Sequence, residues 1–237
     1  MIARGAAALV SCVALALPAD HQADLPAIAE VVNARVETVT YRGVRALHLV
    51  PAPETAGKDE DMLALLDGPA FTDGTIEVDL AGAPRPDAPP DSRGFIGISF
   101  RTGDHGAWTE VFYLRSTNGR SDDQLRRNHT AQYAADPEYP WYRLRKESPG
   151  LYESYVDLEP GVWTRLRIEV AGTTARLYVH GASQPTLVVN DLKHGVRPGR
   201  IALWAHVDTQ AYFGPVRVNR KGAAGSESGS GRVTSHR

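Results

Sequence analysis

From residue 36 onward the chain repeats one pattern. Short runs rich in Val, Ile, Leu, Tyr and Trp alternate with polar residues and end at Gly, Pro, Asp or Asn, which is the period of a half-buried β-strand. In residues 74–80, Ile76, Val78 and Leu80 point to one face and Thr75, Glu77 and Asp79 to the other. The same alternation runs through 95–101, 108–115, 163–170, 175–180, 201–207 and 211–218. Only 25–33 and 59–66 offer short helical stretches. The pattern therefore predicts an all-β protein, an antiparallel two-sheet jelly-roll sandwich extending over about 36–218.

Two connections are long enough to suggest function. Residues 81–93 carry four prolines and several aspartates and read as an extended surface excursion. Residues 116–150 are instead crowded with Arg, Tyr, Trp, Asn, Gln and His, a composition too aromatic for a disordered linker. Beyond 220 the Gly- and Ser-rich run 221–237 has no apolar periodicity and reads as a solvated tail.

Composition sharpens this picture. With 237 residues, 42% hydrophobic and 23% charged, the chain suits a single sandwich domain over 20–220. A net charge of −2 gives no basic footprint for nucleic acid. Arg4, the apolar run 5–17 and Pro18-Ala19 read as a signal peptide over 1–19, the run being too short for a transmembrane span. The expectation is a secreted or periplasmic protein starting near Asp20. The sole cysteine, Cys12, would leave with the signal, unless Leu9-Val10-Ser11-Cys12 acts as a lipobox and Cys12 becomes a lipid anchor.

Four segments carry a family resemblance. They are Phe71-Thr72-Asp73-Gly74-Thr75-Ile76-Glu77-Val78-Asp79, Gly94-Phe95-Ile96-Gly97-Ile98-Ser99-Phe100-Arg101, Gly161-Val162-Trp163-Thr164-Arg165-Leu166-Arg167-Ile168-Glu169-Val170 and Ala175-Arg176-Leu177-Tyr178-Val179-His180-Gly181. In that order they resemble the concanavalin A-like lectin/glucanase superfamily, particularly the bacterial family 16 glycoside hydrolase-like or 3-keto-disaccharide hydrolase domains. The resemblance covers about 64–218 and implies a concave sheet carrying a glycan groove. Family 16 glucanases place Glu-x-Asp-x-x-Glu on one strand, whereas Glu77-Val78-Asp79-Leu80-Ala81-Gly82 ends in glycine. Their catalytic triplet therefore does not transfer. The Gln-x-His and Tyr-x-Lys motifs of alginate-lyase-like jelly rolls are absent as well.

Strand alternation nominates an outward row of Arg101, Tyr113, Arg115, Trp204 and His206. Aromatic faces stack on sugar C–H surfaces, and guanidinium groups bind paired hydroxyls or a carboxylate; alternatively these residues support the long 116–150 segment. Within that segment Arg126, Arg127, Asn128, Gln132, Tyr133, Trp141 and Arg143 could clamp an anionic or ketone-bearing sugar, with His129 or Tyr142 moving a proton. The competing reading is an ordered flap whose arginines pair with Asp122, Asp123, Asp136 and Glu138. Glu110 is either a buried general acid or a carboxylate paired with Arg101 or Arg115. Glu77 and Asp79 share a face and form a further acid pair. No His or Cys spacing supports zinc, no cofactor is implied, and a structural calcium of the kind common in jelly rolls is not locatable from sequence. Three functions remain open: a carbohydrate-active enzyme, such as a glycoside hydrolase or a lyase, working on a di- or oligosaccharide; a non-catalytic module binding an oligo- or polysaccharide; and a cell-envelope structural protein.

Overall fold

The computed structural model describes residues 24–55 and 57–221. The expected signal, Cys12 and all of the expected tail except Lys221 lie outside the described residues. Fourteen strands and two short α-helices follow one another. The first half comprises β1 (Ile28–Val32), β2 (Ala34–Tyr41), β3 (Val44–Pro51), β4 (Asp61–Leu66), β5 (Gly74–Pro84), β6 (Phe95–Thr102) and β7 (Thr109–Arg115). The second half comprises α1 (Gln124–Asn128), β8 (Ala131–Asp136), α2 (Trp141–Glu147), β9 (Glu153–Ser154), β10 (Thr164–Ala171), β11 (Thr174–Val179), β12 (Leu187–Val189), β13 (Arg200–His206) and β14 (Thr209–Arg220).

They form two antiparallel seven-stranded sheets, β1-β4-β13-β6-β7-β8-β9 and β12-β11-β10-β5-β14-β3-β2. Alternation fills the space between them: Ile76, Val78 and Leu80 of β5 and Leu166 and Ile168 of β10 meet Ile98, Phe100, Phe112, Leu114 and Leu203 of the first sheet. Each such side chain gains roughly 1.5–3 kcal/mol from leaving water. In β5 the opposite face is polar, and Asp79 there pairs with Arg165 across the β5–β10 ladder at 2.9 Å. Glu77 and Asp79 thus belong to the outer face of the second sheet.

Two of the sequence expectations fail in an instructive way. The stretches 25–33 and 59–66 are not helical but contain strands β1 and β4. In β4, Met62, Ala64 and Leu66 join the inter-sheet core while Leu63 and Leu65 join a second apolar cluster on the other face. A strand buried on both faces is a continuous apolar run, and no period distinguishes it from a buried helix. Likewise 116–150 is not one excursion, because Ala131–Asp136 runs through its middle as β8, paired to β7.

Arg101 departs from the outward row. Between β6 and β13 the register slips, so that Thr102 faces Arg200 while Ser99 faces Ala202, and Arg101 takes a left-handed φ of 50°. This bulge redirects the side chain. Fully buried, its guanidinium donates to the carbonyls of Thr72 (2.9 Å), Gly195 (2.7 Å) and Gly172 (2.7 Å) and to Asp73 Oδ1 (2.9 Å). It ties three loops together at one end of the sandwich and takes no part in an outer-face site. Replacing Arg101 with Ala strands these acceptors in the interior, so urea unfolding is expected to show a loss of about 3–5 kcal/mol. A loss below about 1 kcal/mol would contradict this structural role.

Candidate functional site

The outer face of the first sheet is itself apolar. Leu63, Leu65, Val111, Tyr113, Ala134, Ala202 and Trp204 form a buried cluster there, with Val32 and Phe95 packed against it. Gly97 makes its centre possible. Both Tyr113 and Trp204 are its cross-strand partners, a Cβ at Gly97 would lie 2.6 Å from the Tyr113 Cα, and over the bare glycine the two rings approach to 4.8 Å. Tyr113 and Trp204 are only 2% and 4% exposed. They form the floor and leave no ring face free for a sugar.

Above this floor runs a groove of about 1200 Å³, larger than the roughly 300–1,000 Å³ usual for small-molecule sites. Segments 50–55, 57–61 and 85–93 and the turn at His105-Gly106 supply parts of its wall, together with Pro140, Trp141 and Tyr142 at the start of α2. The accessible rings are here: Trp141 and Tyr142 are 36% and 63% exposed. The other outer face, that of the second sheet, carries a half-buried stack in which Tyr212 lies 3.8 Å from Tyr41 and 4.5 Å from His48.

Charge is distributed unevenly along the groove. On the β13 side of Phe95, 6.0 Å from that ring, His206 bridges Asp208 (2.7 Å) and Asp59 (2.8 Å) and pairs across the ladder with Asp61. Burial disfavours the imidazolium, but the hydrogen bond to Asp208, followed by Asp59 and Asp61, prevails and raises His206 to about 9. Burial first, and the Asp136 carboxylate second, push Asp61 up to about 7. Asp136 is also raised by burial. Both acids line the groove.

On the β7 side of the Phe95 ring lies a knot of arginines. Arg115 sits 5.3, 5.1 and 5.5 Å from the rings of Phe95, Tyr113 and Trp141, and Arg145 stacks on the Trp141 ring at 4.6 Å. Their shared counter-ion is Glu153, whose side chain is 2% exposed. It accepts from Arg145 Nε at 3.0 Å, lies 3.7 Å from Arg115 and stands 2.8 Å from His129 Nδ1. Burial lowers the His129 pKa, and Arg145 and Arg115 act in the same direction against Glu153, so the ring is neutral near pH 7.

The remaining candidates are dispersed. Glu110 shares the inner face of β7 with Phe112 and Leu114; its carboxylate accepts from Tyr133 Oη and from the His194 N–H at 2.8 Å. Burial raises its pKa, yet it and Tyr133 lie inside the sandwich, on the side of the sheet opposite the groove, and neither expected ion pair forms. Gln132 is buried, accepting from Arg115 at 3.0 Å and donating to the carbonyls of Tyr133 and Tyr152. Arg126 is held by Asn118 and Thr117, Arg127 by Tyr155, and Asn128 by Gln124. Arg143 pairs with Glu147 at 2.8 Å. Sequence reasoning missed Asp61, Asp136, Arg93 and Glu153 as groove or cluster residues. Asp61 was hidden by the helical reading of 59–66, while nothing local marks Glu153. Among the described residues no cluster of three or more His, Cys, Asp or Glu is placed to hold a metal ion, and no helix is long and apolar enough to cross a membrane.

No protein-family model matches the sequence, and no curated protein matches it. Solved structures do resemble it. A carbohydrate-binding module, CBM66, from Bacillus subtilis superposes with a TM-score of 0.51 at 12% identity, covering 81% of this chain and 98% of the module. A Bacillus subtilis protein with a galectin-like fold gives 0.47 at 13% identity, with 84% and 99% covered. An alginate lyase from a Corynebacterium species gives 0.38 at 12% identity, with 74% and 68% covered. At this identity the likeness to the module shows the fold alone, an antiparallel two-sheet β-sandwich.

Proposed function

We propose that the protein is an exported glycan-binding protein whose ligand lies along the groove on the outer face of the first sheet. The observation that carries this reading is the wall itself, where exposed Trp141 and Tyr142 border a long groove over an apolar floor. Exposed rings offer sugar C–H surfaces a stacking partner at little entropic cost. The resemblance to a carbohydrate-binding module supports the reading at the level of fold. Export rests on residues 4–19, and mass spectrometry of native protein is expected to find an N-terminus near Asp20. An intact Met1 or a lipidated Cys12 would contradict simple secretion.

A second reading, glycoside hydrolysis, is favoured by one observation, the raised carboxyls of Asp61 and Asp136 in the same groove. An acid that keeps its proton near neutrality can protonate a leaving group while a second carboxylate activates water. In that case Asp61→Asn abolishes turnover and spares binding; absence of turnover in the wild type against a panel of oligosaccharides leaves the binding reading alone.

The floor and the wall respond differently to truncation. Tyr142→Ala is expected to weaken oligosaccharide binding about tenfold in calorimetry without moving the melting temperature. Trp204→Ala, by contrast, opens a cavity and costs about 3–5 kcal/mol, lowering melting by many degrees. Equal effects of the two on melting would contradict the assignment of roles.

Asp61 also gives a pH signature. Its folded pKa of about 7 exceeds its ordinary 3.8, so between those values the folded state holds the proton more tightly, and stability falls as pH rises through the window. Asp61→Asn removes this contribution. Stability curves from pH 4 to 8 are expected to show the variant gaining about 1–3 kcal/mol relative to wild type toward the upper end. A constant difference across that range would contradict the raised value.

A further inference from the structure

We infer that the arginine cluster at this groove binds the carboxylate of a single uronic acid at one end of an oligosaccharide, with Arg93, which lines the groove, as its principal donor. The inference rests on the glycan-binding reading and names the ligand class. Arg93 immediately precedes β6, lines the groove and is half-buried. Among the described residues no hydrogen-bond or ion-pair partner meets its guanidinium. The charges around it are two of its own sign, Arg126 and Arg145, and two of the opposite sign, Asp91 and Asp123, neither carboxylate within ion-pair distance. Asp123 is already engaged, its Oδ1 accepting the Leu125 and Arg126 N–H groups at the start of α1 at 2.9 and 3.3 Å.

The neighbouring cations do not find enough counter-charge either. Arg126 and Arg145 lie near Arg93, and Arg115 lies near Arg93 and Arg145, yet Glu153 is their one contacting carboxylate. Arg126 bonds only the neutral Asn118 and Thr117, at 2.9 and 2.7 Å. Burial, and the mutual repulsion that follows it, lower both Arg93 and Arg115 from their ordinary values. An incoming anion relieves that repulsion. A planar carboxylate matches the guanidinium fork in two-point geometry, and the exposed Trp141 ring beside the cluster suits the sugar that bears it.

The rest of the lining restricts the ligand further. Seven carboxyl side chains line the groove against four arginines and lysines, Arg35, Lys58, Arg85 and Arg93, so a ligand charged at every unit meets more like charge than counter-charge. One acidic ring at one end avoids this.

Calorimetry on the full chain tests the inference with three probes: an oligosaccharide ending in one uronate, its carboxyl-reduced counterpart, and an oligogalacturonate of equal length. Wild type is expected to prefer the mono-uronate to the reduced form about tenfold or more, and that preference should shrink between 0.05 and 0.5 M NaCl. It should also bind the mono-uronate more tightly than the oligogalacturonate. Arg93→Gln is expected to erase the preference with an unchanged melting temperature, and Arg93→Lys to restore part of it. Equal binding of acid and reduced forms by wild type overturns the carboxylate subsite and leaves the glycan reading standing. A preference that survives Arg93→Gln overturns the assignment to Arg93, and tighter binding of the oligogalacturonate overturns the single-uronate class. If wild type binds neither the mono-uronate nor its reduced form, nor any neutral oligosaccharide, the glycan reading itself fails and takes this inference with it.

Discussion

The central strands of the first sheet bury side chains on both faces, and the site depends on that constraint. Inward, Ile98, Phe112 and Leu203 complete the sandwich core; outward, Tyr113, Trp204 and Leu63 form a second apolar layer. An apolar layer of this size cannot face bulk water without cost. Chain must rise over it, and segments 50–55, 57–61 and 85–93, the His105-Gly106 turn and the start of α2 border what is left as a groove. The second sheet faces no such requirement, because its outer residues include ion pairs such as Asp79 with Arg165. The grooved face and the polar outer face therefore follow from which strands carry apolar residues at every position.

The same burial sets the chemistry of the groove. Groups at its margins lose hydration, so their protonation and pairing depend on neighbours. Asp61 holds its proton toward neutrality, His206 holds its charge among three aspartates, and Glu153 is shared by Arg115, Arg145 and His129. The outcome is a cluster of guanidinium groups on one side of Phe95 and a His206–aspartate group on the other. A molecule with net charge −2 thus presents local positive charge without a basic surface overall, the basis of the proposed preference for one localised negative charge over a polyanion.

Alternation made most of the architecture legible. It separates Phe112 and Leu114 from Tyr113 and Arg115, and Leu203 and Ala205 from Trp204 and His206, as the two clusters require. It is blind where both faces are buried, as in β4, and where small residues replace β-branched ones, as in Ala131, Ala134 and Ala135 of β8. Counting positions along β6 also misplaces Arg101, because a single bulge reverses its side chain. Most opaque are relations across the fold: Glu153 sits 38 positions from Arg115 in sequence, and only the β7–β8–β9 ladder brings it to three partners. Exposure is equally non-local. Tyr113 and Trp204 face outward, yet the mutual packing allowed by Gly97 makes them floor and leaves contact to Trp141 and Tyr142.

That the groove on the first sheet is the ligand site is tested most directly by a crystal structure with a bound oligosaccharide ending in one uronate. The account predicts sugar density over the Tyr113–Trp204 floor and against Trp141, with the carboxylate on Arg93 and the neutral rings along the rest of the groove. Ordered sugar on the outer face of the second sheet, against the Tyr41–Tyr212–His48 stack, with the groove empty of it, would contradict the account.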